Sequence, residues 1–395
     1  MGGPGAPYRG CMTSDGGTGS RNIDLTQGDV SALFAEKLQA AFASLGRFNL
    51  AVFGKTGAGK STLINAIFAD SVAATGVGRS VTRGLDYYAH PGGLLGLYDS
   101  EGFETGTAGD VILAGLRQLV EDRRVRPTSE HIHAVWYTVR WSDRRFELPQ
   151  QAFVRGLADL GLPVILVLTQ VPTKNGQVHP EALEFGGFID SLQLPLVNHT
   201  MYTNALADAF TGADVFGMDA LLNATYQVVP DVATAALTAV QKLDWERKRQ
   251  AARRVIRQAV AVSGGVGAAP IPFADAGLLV PTQVAMIARI TAVYGLPPDR
   301  SRALAAAASV ALTGGATMAG RYLAGTLLKF VPGGAVVGSV ISGTVAASLT
   351  QAVGQAWCRV CEHALSLNPD EQSAFLAGPA PRVLFLSWLK GKPSG

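Results

Sequence analysis

Gly54-Lys55-Thr56-Gly57-Ala58-Gly59-Lys60-Ser61 fills every fixed position of the phosphate-loop pattern G-x-x-x-x-G-K-[ST]. The apolar run Phe48-Asn49-Leu50-Ala51-Val52-Phe53 before it reads as a strand, and Thr62-Leu63-Ile64-Asn65-Ala66-Ile67-Phe68 after it reads as a helix. That strand–loop–helix setting is what gives the motif chemical meaning. Glycines let successive backbone N–H groups turn toward one anion, and the helix N-terminus adds its partial positive charge. Residues Gly54, Lys55, Thr56, Gly57, Ala58, Gly59 and Thr62 are therefore expected around the phosphates of a nucleotide. Lys60 is expected on the β/γ-phosphates, and Ser61 on a Mg²⁺ ion.

A metal held at such a loop needs further oxygen ligands. Leu94-Leu95-Gly96-Leu97-Tyr98-Asp99 is an apolar strand ending in a carboxylate, and Asp99-Ser100-Glu101-Gly102 fits D-x-x-G. Asp99 is expected in the Mg²⁺ shell, and the Gly102 N–H at the γ-phosphate. Between the two motifs stands Arg79-Ser80-Val81-Thr82-Arg83-Gly84. A hydroxyl and N–H from Thr82 would reach metal and γ-phosphate only while that phosphate exists, which is how a switch segment works. Thr75 is a weaker competitor for the role.

Around the loop, strand-like runs at 94–98, 132–139, 164–168 and 196–202 alternate with helical patterns at 30–45, 109–123, 150–160 and 180–192. Such alternation predicts an α/β unit with a mainly parallel sheet and helices on both faces. Residues 85–89 read as an added edge strand. The expected division is a tail at 1–25, a nucleotide-binding unit at 26–229, one long linker helix at 230–262, an Ala/Gly-rich helical unit at 263–365 and a tail at 366–395. Within the helical unit, 278–294, 303–330 and 336–361 read as helices.

The 395-residue chain suits two or three domains. Charged residues make up only 16%, and mean hydropathy is +0.22. A formal net charge of +3 gives no reason to expect nucleic acid. Three cysteines argue against a disulfide scaffold and fit a reducing compartment. The first 20 residues hold no apolar signal core.

The order of these motifs resembles the small GTPases, and Val81-Thr82-Arg83 resembles the switch region of the Era-like bacterial GTPases. The likeness covers about 46–227. It implies a cytoplasmic switch that binds GTP or GDP with Mg²⁺ and hydrolyses GTP slowly, carried by Lys60, Ser61, Thr82, Asp99 and Gly102.

Two departures stand out. Relatives read guanine with N/T-K-x-D, and this chain has Thr169-Gln170-Val171-Pro172 there. Gln170 stands for the lysine that covers the base, and Pro172 for the aspartate that accepts from guanine N1 and N2. Thr169, Gln170 and the later Thr203-Asn204-Ala205 are still expected around the base, with Lys174 or Asn175 as substitutes from the next turn. Phe103 follows Gly102 where some GTPases carry a water-orienting glutamine; Glu101 and Glu104 are the acids nearby. Two other classes therefore stay open: an ATP-binding P-loop protein with relaxed base choice, and a membrane or assembly protein with a regulatory nucleotide site.

Residues 255–363 resemble the YcjF-like helical domain, on Ala269-Pro270-Ile271-Pro272-Phe273-Ala274-Asp275, Gln283-Val284-Ala285-Met286-Ile287-Ala288-Arg289-Ile290 and Tyr294-Gly295. The likeness implies a membrane-associated partner region. No charge lies between Lys329 and Arg359, a stretch long enough to cross a bilayer. Gly334-x-x-x-Gly338 and Ser339-x-x-x-Gly343 have close-packing spacing. The basic run from Arg247 to Arg257 would suit a cytoplasmic flank, or a solvated helix face in a soluble Ala/Gly-rich bundle. Partners compatible with the whole are guanine nucleotide, the inner face of a membrane or a membrane protein, and a second copy in a nucleotide-dependent dimer. Cys358-Arg359-Val360-Cys361 reads as two packed thiols rather than a redox or zinc motif.

Overall fold

The computed structural model describes residues 27–68, 79–82, 85–90, 92–100, 107–208, 213–266, 275–296 and 343–389. Helix α1 (Gln27–Leu45) leads into strand β1 (Phe48–Phe53), and α2 (Lys60–Ile67) follows the glycine loop. Then come β2 (Arg79–Thr82), β3 (Leu85–Ala89), β4 (Leu95–Asp99), α3 (Thr107–Arg124), β5 (Ala134–Arg140), α4 (Leu148–Asp159) and β6 (Val164–Thr169). A hairpin of β7 (Thr173–Lys174) and β8 (Gln177–Val178), α5 (Pro180–Ser191), β9 (Met201–Tyr202) and α6 (Met218–Val228) complete the first unit. The rest is helical: α7 (Asp231–Val240), α8 (Trp245–Val266), α9 (Asp275–Val293), α10 (Gly343–Ser366), α11 (Pro369–Ala377) and α12 (Ala380–Leu389).

The main sheet has the order β2-β3-β4-β1-β5-β6-β9. Strands β4, β1, β5, β6 and β9 run parallel, and β2 and β3 add antiparallel. β1 lies at the centre, where the chain leaves for one side of the sheet and later returns to the other. That is the switch point at which α/β sheets bind ligands, outside the carboxyl ends of their strands. Every residue of β1 is buried, as expected for a strand covered on both faces. Phe48, Leu50 and Val52 pack toward α2, α6 and α7, and Ala51 and Phe53 toward α3, α4 and α5.

The α/β expectation holds, with local differences. β3 is not an edge strand, because β2 lies outside it. The strand expected over 196–202 shrinks to Met201–Tyr202. Asp190 Oδ1 accepts from the Thr200 N–H at 2.9 Å and its hydroxyl at 2.7 Å, which holds the approach in a turn until Met201.

The single helix expected over 230–262 is two helices. Gln241 leaves α7 in an extended conformation. Its Oε1 accepts from the Leu243 N–H at 2.8 Å and the Asp244 N–H at 2.7 Å, capturing donors that a continuous helix would use. Asp244 then caps the start of α8, its Oδ1 accepting from the Arg247 N–H at 2.9 Å. Residues 369–389, read as tail, form α11 and α12. Asn368 and Glu371 make a reciprocal capping box there, and Leu376 and Phe385 enter the core. The helix expected over 303–330 and the 1–25 tail lie outside the described residues. Among those described, no helix is long and apolar enough to cross a membrane.

The helical unit does not hang from a linker. α1 packs against α9, and α8 packs against α9 and α10. One continuous apolar cluster runs from Leu50 and Trp136 of the sheet through Leu237 to Ile287 and Trp357.

The basic run of α8 is mostly exposed, yet Lys248 is only 2% exposed. Its ammonium donates to Ala239 O at 2.6 Å in the last turn of α7 and to Tyr294 O at 3.3 Å just past α9. It thus serves two helix C-termini at once, where cations are favoured. Burial still pushes it down to about 7 from 10.5. Between these values the unfolded chain holds the proton and the folded chain does not, so stability rises with pH and is lost as pH falls toward 7. Burial raises Cys358 from 9.0 to about 12 and Cys361 well above 9.0, which acts in the opposite sense above pH 9. Urea unfolding is therefore expected to give roughly 2 kcal/mol more stability at pH 9 than at pH 7. Lys248→Met should flatten that slope; an unchanged slope would assign it to other groups.

Candidate nucleotide site

The glycine loop leaves β1 through a place only glycine fits. Gly54 has φ +150°, and a Cβ there would strike the hydroxyl and carbonyl of Thr138 on β5. Thr138 is buried, and its hydroxyl donates to Phe53 O at 2.9 Å, pinning the strand end. Gly57 and Gly59 have φ +79° and +80°, the left-handed region that lets the loop wrap. Gly59 is also the residue before α2, and no side chain caps that helix. Its first N–H groups are thus left for an anion.

Lys60 opens α2 and is buried, with its ammonium donating to Gly54 O at 3.1 Å across the loop. Ser61 and Thr62 are exposed at the same mouth, and Ala58 is buried beneath it. Lys55 reaches outward to Glu147 at 3.8 Å. Asp99 ends β4 directly beside Val52 of β1, so its backbone stands at the strand end where the loop begins. Ser61 and Asp99 supply hard oxygen donors, the kind Mg²⁺ accepts alongside phosphate oxygens and water. Of Thr82 the backbone is described: it ends β2, paired with Leu85 after a register irregularity at Ser80. Thr75, Glu101, Gly102, Phe103 and Glu104 lie outside the described residues.

A cavity of about 430 Å³ opens beside α2. Its walls come from three places: Gly59, Thr62 and Leu63 of the loop and α2, Thr169, Gln170 and Pro172 after β6, and the segment starting at Thr203 after β9. The fold thus brings the expected base-site residues together. Several hold the scaffold as well. The Thr169 hydroxyl donates to Ala58 O at 2.6 Å, and Gln170 Nε2 donates to Gly57 O at 2.9 Å. Gln170 has φ +58°, a turn that lays its amide on the phosphate loop. Thr203 donates to Leu168 O at 3.0 Å. Lys174 and Asn175 are exposed at the tip of the β7–β8 hairpin, and Asn175 and Gly176 take φ +54° and +75° to close it. Neither lines the cavity.

Asp208 does line it, and the sequence reading did not single it out. It follows Ala205 in a loop whose course depends on long-range pairing, and one aspartate in a loop carries no mark of its own. Lys242 was missed too. Its ammonium donates to Asn65 O at 2.6 Å and its N–H to Ile67 O at 2.9 Å, so the break between α7 and α8 is tied to the C-terminal end of α2.

Residues 49–170 match the family model described as 50S ribosome-binding GTPase, and residues 231–376 match a domain of unknown function, DUF697. The second match begins at the first residue of α7. No curated protein matches the chain. Among solved structures, the chain is similar to a probable GTP-binding protein engB (18% identity, TM-score 0.29, 46% of this chain and 97% of that one). It is also similar to a variant of Aquifex aeolicus Era bound to GDP·AlF₄⁻ (17%, 0.31, 55% and 68%). A third is a mutant NFeoB of S. thermophilus bound to GDP (12%, 0.27, 87% and 98%). Sheet order, glycine loop and the GTPase match give the first unit a P-loop GTPase fold, followed by a helical region.

Proposed function

We propose that this chain is a Mg²⁺-dependent GTP switch that hydrolyses GTP slowly to GDP and signals to its own helical unit. The observation that carries the reading is the uncapped α2 N-terminus facing the Gly57 and Gly59 turns, with the buried Lys60 ammonium lying across the loop. This cradle has the shape and the charge a polyphosphate requires. Mg²⁺ held by Ser61 and Asp99 would supply positive charge against the charge developing on the phosphates. Lys60 would exchange its carbonyl for a phosphate oxygen, Ser61, Asp99 and the Thr82 hydroxyl would hold the metal, and the N–H groups of Gly102 and Thr82 would report the γ-phosphate. The Val81-Thr82-Arg83 run supports the Era-like subtype, and the 269–295 pattern supports a YcjF-like second unit.

Signalling is supported by the Lys242 contacts. One end of α2 forms the phosphate cradle, and its other end holds the segment that joins α7 to α8. A small shift of α2 would pass directly to the bundle. The target of the bundle in one nucleotide state is proposed to be a membrane face or a second copy, on the strength of the uncharged run between Lys329 and Arg359.

Titration with fluorescent GDP in Mg²⁺ buffer, competed by unlabelled GTP, GDP, ATP and ADP, tests the ligand. Displacement by GTP and GDP at concentrations at which the adenine nucleotides have no effect is expected. Equal displacement by ATP would remove the GTP assignment and leave the phosphate site standing.

A further inference from the structure

We infer that Asp208 supplies the carboxylate that reads guanine, entering from the loop after β9 because the end of β6 has none. The inference rests on the nucleotide reading above and adds the residue that gives it base specificity.

At the end of β6 the side chains that face the cavity offer no carboxylate, and the Gln170 amide keeps a single neutral acceptor oxygen. Gln170 Nε2 is spent on Gly57 O, and the Thr169 hydroxyl on Ala58 O. Pro172 lines the cavity without any hydrogen-bonding side-chain atom. A guanine placed here would present two donors, N1–H and N2–H, and a donor left unpaired costs more than it gains. A two-oxygen acceptor has to come from another wall.

The β9 side supplies it. Asn204 is buried, and its Nδ2 donates to Leu206 O at 2.8 Å and to Asp214 O at 2.9 Å. That one amide gathers both arms of the loop. The Asn204–Phe216 and Asp208–Ala213 backbone bridges close it further: Asp208 N–H donates to Ala213 O at 2.9 Å and Ala213 N–H to Asp208 O at 3.2 Å. The backbone at Asp208 is therefore held on the rim of the cavity rather than left to swing. Among the described residues lining the cavity, Asp208 is the one with an ionisable side chain.

A carboxylate accepts two parallel donors, which is the pattern of guanine N1–H and N2–H. Adenine offers a lone pair at N1 and a carbon-bound hydrogen at C2, so the same carboxylate repels it. Selection between the purines then follows from one polar group placed against donors it can pair.

The test uses the full chain and two variants, Asp208→Ala and Asp208→Asn, whose melting curves are first compared with wild type. Fluorescent GDP and xanthosine diphosphate are titrated into each, with ADP as competitor. The alanine variant is expected to bind GDP about tenfold or more weakly. The asparagine variant is expected to shift preference toward xanthosine diphosphate, whose C2 carbonyl meets the new amide donor. GDP binding within twofold of wild type in both variants, with wild type still rejecting ADP, would overturn the assignment of Asp208 and leave the GTP reading intact. Wild-type protein that binds no guanine nucleotide would overturn the reading beneath it.

Discussion

Lys60→Ala is expected to weaken binding of fluorescent GDP by a hundredfold or more while leaving the melting temperature of the free protein nearly unchanged. The side chain is buried, yet its only described polar contact is Gly54 O at 3.1 Å, a single bond within the loop. In the free protein the loss is therefore one hydrogen bond within the loop. With nucleotide bound, the same truncation leaves phosphate charge facing the loop without its cation. Removing one partner of a desolvated charge pair costs about 2–5 kcal/mol, which is a factor of tens to thousands in affinity. Binding within threefold of wild type would mean that the backbone amides alone hold the phosphates and that Lys60 serves the loop.

The asymmetry between what sequence revealed and what it hid has physical causes. β1, the glycine loop and α2 were legible because their constraint is local: the close approach of Gly54 to Thr138 and the φ values of Gly57 and Gly59 admit almost no other residue. The break at 241–244 was hidden because Gln241 is an ordinary helix residue until its side chain turns back onto the Leu243 and Asp244 amides. Lys248 looked like one more member of a solvated basic run, since nothing in its neighbours announces two helix C-termini arriving from α7 and α9. The cavity beside α2 was half legible. Thr169, Gln170 and Thr203–Ala205 could be named from their places after strands, whereas Asp208 reaches the same cavity through a loop shaped by Asn204 and by pairing across to Ala213. Long-range capture by single polar side chains is common to these failures.

Trp357→Ala is expected to destabilise the protein by about 3–5 kcal/mol, the cost of removing a large buried aromatic. Trp357 is completely buried on α10, its Nε1 donates to the Thr291 hydroxyl on α9 at 2.9 Å, and its ring meets Phe385 of α12 edge-on at 5.9 Å. Three helices thus lose a shared anchor. The more telling expectation concerns the other end of the molecule. The cluster around Trp357 is continuous with the side chains beneath β1 and β5, through α7 and the α1–α9 packing. If that core is one cooperative body, loss of far-ultraviolet circular dichroism and release of bound fluorescent GDP should both move to lower urea, together and by the same amount. Release of GDP at the wild-type urea concentration, with only the helical signal displaced, would show two units that melt separately and would deprive α2 of a rigid body to push against. Coincident transitions would mean instead that the state of the phosphate loop and the packing of the bundle are terms in a single equilibrium, which is the condition for nucleotide to be felt at α10 at all.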